Sequence, residues 1–228
     1  MHHPEPRFSR IAAVIADPSR ARMLAALMGA EYRSAGELAT VAGITPQAAS
    51  TQLAQLVDNG MVILRVQGRH KYFALADEDV AHALEALSVV AERDNVSERW
   101  SKPAFRPLKC ARRCYGHLAG ELGVAQFEML MRCKHLEQTE QGLRLTDAGH
   151  IWLVKLGVVI PKISAARLAY PCMDWSERKD HLAGALPKAL LEHYVAQHWL
   201  TMRRDSRALS LTPKGQQALM PLLHRQLQ

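Results

Sequence analysis

Cys110, Cys114 and His117 stand at i, i+4 and i+7, so a helix running through them would present two thiols and an imidazole on one face. Sulfur and nitrogen donors at that spacing suit zinc, another soft metal or arsenite. A fourth donor would come from Cys172 or His181, and nothing local selects between them. The plainer alternative has Cys114 and His117 packing at a helix start, with His117 mirrored by His181; at the same offset of 64 the counterpart of Cys114 is Arg178. Asp174 and Glu177 are spaced as a capping box, which predicts a helix just after Cys172. A thiol facing that helix N-terminus would be acidified and reactive, whereas a thiol tucked beside Pro171 would be a small apolar filler. No Ser-His-Asp order, phosphate-cradling glycine loop or HExxH is present, so catalysis is not expected. No resident cofactor or metal is expected either, although these cysteines and histidines leave a thiol-bound ligand or metal open.

A second group of side chains suits recognition instead. Gln47, Ser50, Thr51 and Gln52 are short or planar hydrogen-bonding groups near the start of one predicted helix. Thr45 caps that helix and Pro46 occupies its first turn, where a missing N–H has no consequence. Ala49, Leu53, Leu56 and Val57 fall at helical spacing and give it a buried face. Just upstream, Ser34 and Glu37 form a capping box for a helix to about Ala42, and Gly43 supplies the turn. Downstream, Met61–Val66 and Lys71–Leu75 are β-prone runs joined by Gln67-Gly68-Arg69-His70, with Arg65, Arg69, His70 and Lys71 placing positive charge at the tip. Helix, turn, helix and basic hairpin describe a winged helix-turn-helix: the helix from Thr45 enters a major groove and the hairpin grips phosphates. A small helical domain with an ordinary charged hairpin is the alternative.

The segments ADPSRARMLAAL, GELATVAGITPQAASTQLAQLVDNGMV and QGRHKYFALAD resemble the ArsR family of bacterial winged-helix repressors, over roughly residues 8 to 98. The resemblance implies a homodimer that binds double-stranded operator DNA and releases it when a small-molecule, redox or metal effector binds. It also implies a dimer interface on the first and last helices of this domain, here Ile11, Val14 and Ile15 with Leu84, Leu87 and Ala91. The family's thiolate site lies in the helix before the recognition helix, where this chain reads Glu37-Leu38-Ala39-Thr40-Val41-Ala42 without a cysteine. Its other site needs Asp-x-His with His-x-x-Glu, and only His82-x-x-Glu85 is present. A longer subgroup of the family is resembled by residues 114–120 and 174–178.

The chain has 228 residues and a net charge of +7, which suits a polyanionic partner. Residues 1–99 hold 10 Lys/Arg against 12 Asp/Glu, while residues 100–228 hold 19 against 10, so the excess sits in the second half. Three explanations stay open: DNA contact by that half, an anionic ligand, or solvated surface. No apolar run of about 18 residues and no hydrophobic leader occur, so a cytoplasmic protein without membrane contact is expected, its cysteines reduced.

Helices are expected over residues 8–16, 19–28 and 80–93. Trp100–Lys109, with two prolines, reads as a linker. Beyond it, His117-Leu118-Ala119-Gly120 recurs as His181-Leu182-Ala183-Gly184, and Leu143–Gly149 recurs as Leu209–Gly215. The two extra residues of the second copy fall in 202–208, a predicted hairpin tip. Each repeat is expected to run helix, longer helix, hairpin, helix, the long helices covering residues 124–136 and 186–200 and the last capped by Thr146 or Thr212.

The expected fold is therefore mainly α with small β-hairpin wings: a winged helix-turn-helix domain over 1–99, a linker over 100–109, and a domain of two winged-helix-like repeats over 110–228. The function expected is that of a sequence-specific DNA-binding regulator, a homodimeric repressor. The alternatives are a protein-interaction module on the same scaffold, or a thiol- or metal-responsive sensor using Cys110, Cys114, His117 and Cys172.

Overall fold

The computed structural model describes residues 8–29, 31–92, 102–203 and 206–224, with side chains through residue 220. Arg93, the expected end of the third of those early helices, and Trp100, the start of the expected linker, lie outside the described residues. The chain forms two compact units, residues 1–81 and 82–228.

In the first unit, α1 (Phe8–Ile15) and α2 (Pro18–Leu27) meet at Asp17, whose carboxylate accepts from the Ser19 and Arg20 amides. β1 (Arg33–Ser34) leads into α3 (Ala35–Ala42), where the Ser34–Glu37 capping box forms as the spacing predicts. Gly43 ends α3 at φ +68°, a left-handed conformation that glycine adopts without strain. α4 (Pro46–Asp58) follows, its first turn capped by the Thr45 side chain. β2 (Val62–Gln67) and β3 (His70–Leu75) pair antiparallel around a two-residue Gly68-Arg69 turn, and β1 completes a sheet of order β1-β3-β2. Met23, Leu24, Leu27, Leu38, Ala49, Leu53 and Leu56 form the core between the helices.

α5 (Glu78–Ala91) begins in the first unit and continues into the second. The expected boundary near residue 99 is corrected by the company α5 keeps after Ala81: buried Glu85 pairs with Arg207 at 2.8 Å, and His82 packs edge-on against Tyr170. The expected linker also holds structure. Its two prolines precede and enter a short helix, α6 (Arg106–Cys110), with Pro107 in the first turn.

The second unit consists of two repeats of one pattern. The first repeat runs α6, β4 (Arg112–Cys114), β5 (His117–Ala119), α7 (Glu121–Arg132), β6 (Leu136–Thr139), β7 (Gly142–Leu145) and α8 (Asp147–Leu156). The second runs α9 (Ala165–Leu168), β8 (Tyr170–Met173), β9 (Asp180–Ala183), α10 (Ala185–Ala196), β10 (Leu200–Met202), β11 (Leu209–Leu211) and α11 (Pro213–His224). Each repeat does open on a short helix, but that helix ends before Cys114 and Cys172, which lie on strands of a hairpin that the expected order lacks. The long helices are also displaced from the expected 124–136 and 186–200: Glu121–Arg132 starts three residues earlier and ends four earlier, and Ala185–Ala196 starts one earlier and ends four earlier.

The recurring letters have one physical cause each. Gly120 and Gly184 join strand to helix at positive φ, and a Cβ there would stand 2.4 Å from the Lys109 carbonyl and 2.7 Å from that of Leu168. Thr146 and Thr212 cap α8 and α11 through the amides of Gly149 and Gly215. A Cβ on those two glycines would reach 2.2 Å from His135 O and 2.0 Å from Trp199 O, so only glycine lets the helix approach that closely. Gly149→Ala is accordingly expected to lower stability by about 1–3 kcal/mol through overpacking against backbone, read as a lower urea midpoint; an unchanged midpoint would contradict the close approach.

The halves also pack reciprocally: α7 lies against β9 of the second repeat and α10 against β5 of the first. That exchange is what an approximate two-fold relation between two similar halves produces. Leu118, Leu130, Leu136, Leu182, Leu190 and Leu200 from both halves share one core.

Candidate nucleic-acid interface and a buried Cys/His cluster

The N-terminal half of α4 shows Gln47, Ser50 and Thr51 to solvent, while Ala49, Leu53 and Leu56 are buried on the opposite side. Thr45 is exposed beside them. Val57 is only half-buried. Ser50 donates to the Pro46 carbonyl, so its oxygen keeps lone pairs available outward. Gln52 belongs with the scaffold: its carboxamide oxygen accepts from Arg20 at 2.6 Å, and Gln55 accepts from the same guanidinium at 2.5 Å. Arg20 also donates to the Val14 carbonyl. One guanidinium thus ties α1, α2 and α4 together, a role that spacing within any single helix does not reveal.

The wing exposes Arg65, Arg69, His70 and Lys71. Arg65 is held by the Tyr32 ring, its guanidinium 5.7 Å from the ring centre, which fixes its direction without consuming its charge. Arg69 lies at the two-residue turn, and His70 and Lys71 open the returning strand. Helix and wing together offer hydrogen-bonding groups for base edges and cations for phosphates.

Among the residues expected at a dimer interface, Val14 is buried within its own unit and Ile15 and Leu84 are half-buried. Ile11, Leu87 and Ala91 are exposed, and so are two apolar neighbours not singled out in the sequence, Phe8 at 72% and Val90 at 57%.

In the second unit, Cys114, His117, Cys172 and His181 come together, all buried, with one donor atom from each within 4.8 Å of the others. The helical arrangement expected of Cys110, Cys114 and His117 does not form. Tyr115 and Gly116 both take positive φ, making a two-residue hairpin turn that sets Cys114 directly across from His117. Cys172 faces His181 in the same register on β8 and β9. The structural counterpart of Cys114 is therefore Cys172 rather than Arg178, because the loop between the paired residues is six residues longer in the second hairpin. Cys110 lies elsewhere, lining a cavity of about 500 Å³ with Glu121, Leu122, Glu128 and Met220.

The loop of the second hairpin carries the charges that surround the cluster. Instead of capping a helix, Asp174 accepts from the Ser176 and Glu177 amides within this loop and from the Gly120 amide of the first repeat. Arg112, fully buried, donates to Asp174 at 2.7 Å and to Ser176 Oγ at 2.9 Å, and its guanidinium stacks 4.2 Å from the Trp175 ring centre. Asp174 Oδ2 also lies 3.2 Å from His181 Nδ1, an ion-pair contact bent away from ideal hydrogen-bond direction. Burial opposes the charge on Asp174, but His181 and Arg112 outweigh it and hold the carboxyl well below the usual range. Burial likewise opposes charge on His181, yet Asp174 and Cys114 raise its pKa to about 9. His117, desolvated and facing His181, is driven well below its ordinary value. The Cys172 thiol and burial push the Cys114 thiol up. The two imidazoles meet Nε2 to Nε2 at 3.0 Å.

Comparison with known proteins agrees with this organisation. The helix-turn-helix domain family matches residues 15–65. The chain is 35% identical to an uncharacterized HTH-type transcriptional regulator, YdfF, of Bacillus subtilis, over 92% of this chain and 94% of that protein. It is 38% identical to the HTH-type transcriptional regulator CmtR of Mycobacterium tuberculosis, over 40% of this chain and 76% of that one. A solved winged helix-turn-helix domain from Mycobacterium bovis, a possible ArsR-family regulator, is 30% identical and covers 38% of this chain and 79% of its own, at a TM-score of 0.35. Among the described residues no helix is long and apolar enough to cross a membrane. The near full-length relation to one such regulator and the winged helix-turn-helix place this chain in the ArsR family of DNA-binding transcriptional regulators.

Proposed function

We propose that the chain acts as a homodimeric repressor that reads a two-fold operator with the N-terminal half of α4 and grips flanking phosphates with the Gly68-Arg69 wing. The observation that carries this reading is the pairing of an exposed Gln47–Ser50–Thr51 face with an exposed cationic hairpin in one unit. A helix start bearing such groups fits the major groove, and cations at a hairpin tip fit the backbone beside it. Exposed Phe8 and Ile11 on α1, and Leu87 and Val90 on α5, supply apolar surface of the kind a second copy covers. The second unit then serves as the part that receives a signal or fixes dimer geometry.

Selection of duplexes from a random pool by the full chain tests this directly. The expected product is an inverted repeat whose half-sites lie about one helical turn apart. With Gln47→Ala, discrimination is expected to fall by about 1–3 kcal/mol at one base position in each half-site, with little change elsewhere. Sedimentation of the wild type as a monomer, or enrichment of a single unrepeated site, would overturn the dimeric reading. Failure to enrich any sequence would leave the winged fold as a protein-interaction scaffold.

A further inference from the structure

We propose that Cys114, His117, Cys172 and His181 form a four-coordinate site for a thiophilic divalent metal ion of the zinc class, which clasps the two repeats of the second unit. Each repeat contributes one thiol and one imidazole from facing positions of one hairpin. Two sulfurs and two nitrogens are a common complement for a closed tetrahedral zinc site. Metal–nitrogen and metal–sulfur bonds of about 2.0–2.1 and 2.3 Å put tetrahedral donors about 3.3 to 3.8 Å apart. The four donors here already lie within 4.8 Å of one another, and the two Nε2 atoms, at 3.0 Å, need only open by a few tenths of an ångström.

The surroundings are those of a metal ligand set. Asp174 stands at His181 Nδ1, on the far side of the ring from the cluster, where a carboxylate fixes the tautomer that turns Nε2 toward a metal. Asp174 is itself fixed by Arg112 and the Gly120 amide. The nearby buried charges are already matched, Arg112 with Asp174 and Arg207 with Glu85, so a divalent ion with two thiolates adds no net charge. The two imidazoles meet at the centre of the cluster through one Nε2–Nε2 contact, so the atoms that would bind the ion already face each other. Loading is an exchange. The thiol S–H bonds of Cys114 and Cys172 and the Nε2–H of His181 break, two metal–sulfur and two metal–nitrogen bonds form, and the displaced protons leave to solvent. All four ligands come from protein and are buried, so no position stays open for a reacting water.

The site is distinct from the family's two placements, in the helix before the recognition helix and in α5, and it holds whether or not the operator reading does. Full-length protein, purified anaerobically under reducing conditions from zinc-supplemented cells, is expected to carry about one metal per chain by elemental analysis. Cobalt(II) added to chelator-treated protein should give intense visible d–d bands of a tetrahedral site and a near-ultraviolet thiolate charge-transfer band. Cys114→Ser and Cys172→Ser should each lose that charge-transfer intensity in part, whereas Cys110→Ser and Cys133→Ser should keep it. Because the first two variants remove core groups, the wild type supplies a further reading: its urea midpoint should rise with added zinc and fall with chelator, and a midpoint that moves with neither contradicts the site. Wild-type protein that arrives without metal and gives no thiolate charge-transfer band with cobalt overturns the proposal. So does a six-coordinate cobalt spectrum, or a band abolished by Cys110→Ser or Cys133→Ser. A Cys114–Cys172 disulfide forming in the anaerobic preparation would also overturn it, in favour of a thiol switch.

Discussion

Replacing Asp174 with alanine is expected to destabilise the second unit by about 3–5 kcal/mol, as breaking a buried charge pair from one side does. Arg112 has no exposure, and Asp174 forms its salt bridge at 2.7 Å. Removing the carboxylate leaves the guanidinium with the Leu108 carbonyl, Ser176 Oγ and the Trp175 face, none of which carries compensating charge. The same change strands the Gly120 amide and unties the 174–179 loop, since Asp174 accepts from both. An exposed pair of this length would contribute about 1 kcal/mol or less, so burial decides the magnitude. Removing both charges, as in Arg112→Met with Asp174→Leu, should recover the part of the loss that comes from the stranded guanidinium, while the Gly120, Ser176 and Glu177 amides still lack their acceptor. All four tryptophans of the chain lie at or beyond position 100, so urea unfolding followed by tryptophan fluorescence reports this half. Run with chelator present, the measurement is separate from metal binding. A loss under about 1 kcal/mol for Asp174→Ala would show that the buried pair is not holding the loop.

The contrast between the two units explains what the sequence can reveal. α4 is legible because its signals are local: Thr45 and Pro46 mark its start, and Ala49, Leu53 and Leu56 repeat at the helical period. The wing is legible for the same reason, with Gly68 at the turn and β-prone runs on either side. The role of Arg20 is not legible, because its partners, Gln52 and Gln55, lie more than thirty positions away. Around Cys114 the helical spacing misleads, since Cys110 ends one short helix while Cys114 and His117 face each other across the two-residue turn that follows. The Gly116 of Cys-Tyr-Gly-His is the available turn signal, and a two-residue turn puts Cys and His across from each other.

Comparison at a constant offset fails for Cys172 because the two hairpin loops differ in length. Aligning each Cys to its cross-strand His places Cys172 against Cys114 at an offset of 58. The linker reading of residues 100–109 takes two prolines as breakers, although Pro107 sits in the first turn of a helix, where proline is tolerated. The glycine and threonine letters of the repeat are visible in the sequence. Their reasons are not, because each depends on a carbonyl supplied by another element.

Arg69→Ala combined with Lys71→Ala is expected to weaken binding to every duplex, specific or not, on the order of 10–100-fold near physiological salt. Both side chains are exposed on the wing, one at the turn and one at the start of β3, so their removal disturbs no buried contact. The residues that shape the hairpin stay in place: Gly68 keeps its turn, and Phe73 and Leu75 keep β3 anchored in the core. Arg65, stacked on Tyr32, also remains, so the wing should keep part of its grip. Each phosphate no longer neutralised should flatten the plot of log affinity against log salt by about 0.9, or roughly 2 per chain for the pair. Gln47→Ala acts on the base-reading side instead, changing which base is preferred while leaving the salt slope alone. Titrating one selected duplex and one unrelated duplex at several salt concentrations separates the two effects. A double variant with unchanged slope and affinity would mean that the wing does not touch DNA. The phosphate grip would then have to come from the second half, where the chain's excess of 19 Lys/Arg over 10 Asp/Glu lies.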